Sequence, residues 1–240
     1  MTSGVRETKR LEQILIDRFG WAENYMPPGD GGIDPKRIEA FIRIRETLQP
    51  RCAEYQAVLA GIKNLELLET DHEGHPENPG STGLQGLKSV FRSGPEMLEY
   101  TKTRNRALLD SGMGLGEYLY LYLGSYGEQL SAEAVSTFSK MEEAYISDRA
   151  RTEYAQILNN QIAALESSPS PASLADLTET LRAEIRSLED GSHPAPWPHG
   201  PIGKTREALA PFRQQLDALY CSGIARIELL QKNRGFHFDG

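Results

Sequence analysis

Apolar side chains recur along this chain in alternating steps of three and four, the spacing that lines one face of an α-helix. Strict alternation of apolar and polar residues never runs long enough to predict a strand. The expected class is all-α: one domain over residues 1–240, a helical bundle of about seven helices. The first helix covers about Val5 to Phe19 and buries Leu11, Ile14, Leu15 and Phe19. A second begins at Asp34-Pro35, where aspartate suits the N-cap and proline the first helical position. Its stripe holds Ile38, Phe41, Leu48, Cys52, Tyr55, Leu59 and Ile62, with Arg45 also on it. Further helices are expected over 84–91, 95–110, 115–126, 131–165 (capped by Ser131), 173–188 and 205–232. The breaker-rich stretches 70–83 and 189–202 read as loops.

One pattern is written twice. Arg45-Glu46-Thr47-Leu48-Gln49-Pro50 precedes a glycine-led apolar run at Gly61, and Arg206-Glu207-Ala208-Leu209-Ala210-Pro211 precedes a matching run at Gly223. The segments 45–69 and 206–231 therefore predict a duplicated unit. Each proline removes an amide from its helix and clashes with the preceding turn, so a kink or break is expected at both. In each pair the arginine is placed to face inward and cap the freed carbonyl.

The helix starting at Leu115 carries apolar or tyrosine side chains on all sides, which predicts burial at the centre of the bundle. Glu117 is its one charge. A lone buried carboxylate costs several kcal/mol unless it is paired, so a cationic partner is required. Arg45 and Arg104 are the candidates, with Tyr100 and Asn105 completing a network. Such a network serves to fix helix register. The functional alternative is a small polar ligand bound by Arg45, Arg104, Glu117, Tyr118 and Tyr122.

A net charge of -8, with basic and acidic residues interleaved, opposes nucleic acid and anionic membrane surfaces as partners. The longest nearly uncharged apolar stretch, Leu115 to Tyr126, is too short to span a bilayer. The N-terminus lacks the apolar run of a signal peptide, which reads as cytoplasmic as written, or as periplasmic or envelope if a leader was removed. Cys52 and Cys221 are too few for a disulfide framework and read as buried thiols, with a bridge between them as the alternative. His72 and His75, or His193 and His199, sit in loops without metal-site spacing, so no metal and no cofactor is expected. Gly200-Pro201-Ile202-Gly203-Lys204-Thr205 lacks the first glycine of a phosphate loop, and no nucleophile motif occurs. The expectation is a non-catalytic helical protein that binds a partner protein or small polar ligand. Two alternatives stand beside it: an enzyme using Glu117 as acid or base, and a scaffold built on the long helix from Ser131.

Overall fold

A computed structural model of the chain describes residues 3–28, 32–70, 95, 97–136, 152, 155–167, 175–189, 204–221, 224 and 228. The fold is all-α, with no strand among the described residues. The elements are α1 (Ser3–Phe19), a 3-10 turn (Ala22–Asn24), α2 (Pro35–Thr70), α3 (97–110), α4 (Leu115–Ser136), α5 (155–166), α6 (Ala175–Glu189), α7 (Lys204–Leu209), a second 3-10 turn (Ala210–Phe212) and α8 (Arg213–Ala218).

Local chemistry sets several boundaries. Gly20 at φ 80° ends α1 in a left-handed conformation and donates its amide to the Ile16 carbonyl at 2.8 Å. Asp34 starts α2 as expected, its carboxylate accepting from the Lys36 amide at 2.9 Å. At the end of α3, Gly112 at φ 60° reverses the chain while the Met113 amide bonds the Leu108 carbonyl.

Helix α4 lies at the centre, packing against the first 3-10 turn, α2, α7 and α8. From Leu115 to Gly127 every residue except Glu117 is buried, as an all-round apolar helix requires. Its approach to the first 3-10 turn is close. A Cβ added at Gly116 would stand 2.4 Å from the Tyr25 Cβ and 2.6 Å from the Ala22 carbonyl oxygen. Only glycine fits there.

Several expectations are corrected. Ile14 is exposed, because Leu15 rather than Ile14 faces the core. Helix α4 runs through Ser131, so no helix begins there. Helix α2 continues unbroken past Pro50, whereas at Pro211 the chain tightens into a 3-10 turn and the helix expected over 205–232 ends at Ala218. The two copies of the duplicated pattern thus differ in backbone. They also differ in burial: Arg45 is enclosed while Arg206 is exposed, and Arg45 caps the Leu219 carbonyl at 3.3 Å. The two thiols expected from cysteine count are instead a Cys52–Cys221 disulfide, with Cα atoms 6.0 Å apart. Spatial proximity decided this, and a count of two carries no information about it. The expected helix 84–91, the loops 70–83 and 189–202 beyond their first residues, and the middle of the expected helix 131–165 lie outside the described residues.

Candidate functional site

The buried charges of this fold meet at one point, and it is not Glu117. Among the described residues the charged groups fully enclosed in the core are Arg45, Arg104 and Glu228, at 1%, 1% and 0% exposure. Arg45 comes from α2, Arg104 from α3, and Glu228 follows α8 in the chain, its amide donating to the Ile224 carbonyl at 3.2 Å. The Glu228 carboxylate accepts four hydrogen bonds. Arg45 Nη1 donates to its Oε1 at 2.8 Å, Tyr118 Oη to the same oxygen at 2.6 Å, and Tyr100 Oη also donates there. Arg104 Nη1 donates to Oε2 at 3.0 Å.

Each donor is also held by something other than Glu228. The Arg45 guanidinium lies over the Tyr122 and Tyr126 rings, 5.2 and 5.3 Å from their centroids, and Nη1 donates to Tyr118 Oη at 2.8 Å. Asn105 Oδ1 accepts from Arg104 Nη2 at 3.2 Å. Tyr118 packs on Phe41 and Tyr122, with ring centroids 5.3 and 6.1 Å away. The tyrosine row on α4 is therefore a wall against which a cation is stacked.

Burial pulls the Glu228 carboxyl upward, but the Arg104 and Arg45 charges and the two tyrosine hydroxyls outweigh it and hold it below its ordinary range. Burial, followed by the Glu228 charge, raises Tyr100 well above the usual phenol value. At neutral pH the cluster is two guanidiniums, one carboxylate and neutral phenols, a net charge of one positive.

Of the five candidate residues, the fold brings Arg45, Arg104, Tyr118 and Tyr122 together and places Glu117 elsewhere. Glu117 pairs with Arg37 on the first turns of α2, accepting from Nε at 2.7 Å and Nη2 at 2.5 Å. Its side chain keeps 20% of its surface in solvent. The cationic partner expected from Arg45 or Arg104 is thus Arg37, which also donates to the Gly112 carbonyl at 3.1 Å. Tyr100 and Asn105 join the network as expected.

Sequence reading missed Glu228. Its signal was present: a carboxylate inside the apolar run Ile227-Glu228-Leu229-Leu230, four residues after the buried Ile224 and therefore on the same helical face.

The cluster is sealed. A cavity that touches Arg104 and Asn105, between α1, α3 and α4, has about 10 Å³ of room and is also lined by Glu12, Leu15, Ile16, Gly20 and Leu115. That is space for one water at most. No group of three or more His, Cys, Asp or Glu residues suited to a metal ion occurs among the described residues. No described helix is long and apolar enough to cross a membrane. Comparison with protein-family models, curated proteins and solved structures finds no match to this chain.

Proposed function

We propose that the protein is a non-catalytic helical binding protein that engages a partner protein through a shelf formed by Trp21 and Met26. The observation that carries this reading is a contrast between burial and rigidity. Trp21 and Met26 are 42% and 54% exposed, yet they bracket a tightly held segment. Asn160 on α5 donates to the Glu23 and Tyr25 carbonyls at 3.0 and 2.9 Å, Tyr25 packs on Tyr120, and Gly116 brings α4 against the turn. Large apolar side chains presented on an immobilised backbone bind at low entropic cost, and tryptophan is the residue type that most often dominates interfaces. Methionine adapts to an irregular apolar cleft.

The sealed core supports the non-catalytic part. Glu117 is committed to Arg37, and Glu228 has no solvent path, so neither is poised as an acid or base toward a substrate. The disulfide favours a working place outside the reducing cytosol, in the cell envelope or extracellular space.

The test is site-specific photo-crosslinking with the full chain in its native cells. A crosslinker at position 26 yields one discrete adduct of fixed stoichiometry, Trp21→Ala reduces it at least about tenfold, as loss of a hot-spot anchor does, and a crosslinker at the exposed position 179 yields none. Equal labelling from positions 26 and 179 overturns the proposal.

A further inference from the structure

We infer that Arg45, Arg104, Tyr100 and Tyr118 constitute a carboxylate-binding site that the chain's own C-terminal segment fills with Glu228 and the Cys52–Cys221 disulfide holds closed.

Three observations point this way. First, the donors belong to α2, α3 and α4 and are each fixed by other contacts, Arg45 by the Tyr122 and Tyr126 rings and Arg104 by Asn105. A site whose donors stand in place without the anion is preorganised for one. Two guanidiniums and two phenol hydroxyls are carboxylate-recognising chemistry.

Second, the site holds more donors than Glu228 uses. Arg45 Nε and the Tyr122 hydroxyl are buried without a hydrogen-bond partner among the described residues. Buried donors in a native fold ordinarily have partners. The chemistry fits an anion with more acceptor atoms than a single glutamate side chain brings.

Third, the carboxylate enters as part of a tethered segment. After α8 ends at Ala218 the chain leaves the helix, is gripped at the Leu219 carbonyl by Arg45 and at Cys221 by the disulfide, and delivers Glu228 seven residues later. A tether raises the effective concentration of Glu228 at the site into a range that external ligands must exceed. Releasing the Cys221 anchor lengthens the tether and lowers that barrier. A dithiol reductant does so by exchange: its two thiols reduce the Cys52–Cys221 bond to two cysteine thiols and become a cyclic disulfide themselves. Glu228 then competes from a longer tether that runs back to α8 without the Cys221 anchor.

Acetate and succinate are the probes, with sodium chloride at equal ionic strength as the reference, and melting temperature is the readout. Oxidised wild-type protein is expected to show no saturable stabilisation. Glu228→Ala, which vacates the carboxylate position, gains roughly 3–6 °C at a probe concentration ten times its Kd. Glu228→Ala combined with Arg45→Met loses that gain. Cys52→Ala/Cys221→Ala, with Glu228 intact, shows a saturable gain absent from the oxidised wild type, and dithiothreitol-treated wild type reproduces it without any substitution. If Glu228→Ala responds to acetate no more than to chloride, the site is overturned. If Glu228→Ala responds but neither disulfide-free form does, the closing role of the disulfide is overturned. Should Glu228→Ala fail to fold, Glu228→Ser, which also vacates the carboxylate position, and the disulfide-free forms carry the same comparison, and absence of a response in all of them overturns the proposal.

Discussion

Replacing Glu228 by glutamine tests the charged core most directly. The carboxylate Oε1 receives Arg45, Tyr100 and Tyr118, and Oε2 receives Arg104. Glutamine keeps the shape but turns one oxygen into a donor, so in either amide orientation at least one buried N–H faces another donor. Both arginines also lose their only fully buried counter-charge among the described residues. Removing one partner of a buried ion pair costs about 3–5 kcal/mol. For a chain of this length that is a fall of roughly 6–20 °C in melting temperature. The assay is urea unfolding of the oxidised protein by circular dichroism, with the slope against urea unchanged. Glu117→Gln serves as the control: its pair with Arg37 is partly exposed and its removal costs about 1 kcal/mol or less. The triple replacement Arg45→Met, Arg104→Met, Glu228→Leu removes the whole cluster, leaves no orphaned charge, and is expected to lose less stability than Glu228→Gln alone. A Glu228→Gln cost no larger than that of Glu117→Gln refutes the reasoning.

The pH dependence follows from the same group. The Glu228 carboxyl lies below its ordinary value in the folded protein, so its stabilisation is complete above the unfolded carboxylate pKa of about 4.3 and fades as pH falls through the lower folded value; melting curves between neutral pH and pH 3 should steepen downward in that window, and Glu228→Gln should flatten the slope. Breaking the 169-residue separation bridged by Cys52–Cys221 with the double alanine variant is expected to cost about 2–5 kcal/mol, read as a lower urea midpoint. A midpoint unchanged by the double substitution contradicts a stabilising crosslink. Gly116→Ala forces the Tyr25 backbone and the Ala22 carbonyl away from α4 and should cost about 1–3 kcal/mol; thermal unfolding indistinguishable from wild type shows that the turn yields freely.

Much of the fold was legible in the residues because helices are specified locally. The Asp34-Pro35 start of α2, the glycine stop at Gly112 and the all-round apolar character of α4 each depend on neighbours within a turn or two. The site was half legible for the same reason. Arg45 and Arg104 lie on core-facing stripes, and that periodicity identified them as buried. Their anion was not identified, because two carboxylates, Glu117 and Glu228, both stand alone in apolar runs. Which of them meets the arginines depends on packing between segments more than a hundred residues apart. Arg37, one turn into α2, reaches Glu117 first. The disulfide was hidden on similar grounds, since Cys52 and Cys221 hold different positions within their two copies of the duplicated pattern. Pro50 and Pro211 show the limit of local rules: the long flanking helix carries one through unbroken, and the other tips the chain into a 3-10 turn.

That Glu228 follows both arginines in the chain has a consequence for biogenesis. A ribosome delivers Arg45 and Arg104 long before the carboxylate that neutralises them, and Cys52 long before Cys221. Until Glu228 emerges, packing α2 and α3 onto the tyrosine face of α4 encloses two unbalanced positive charges. The growing chain is thereby discouraged from closing early. Glu228 thus sets the condition for a settled core, and the nascent chain meets that condition only after α2, α3 and α4 have all been made.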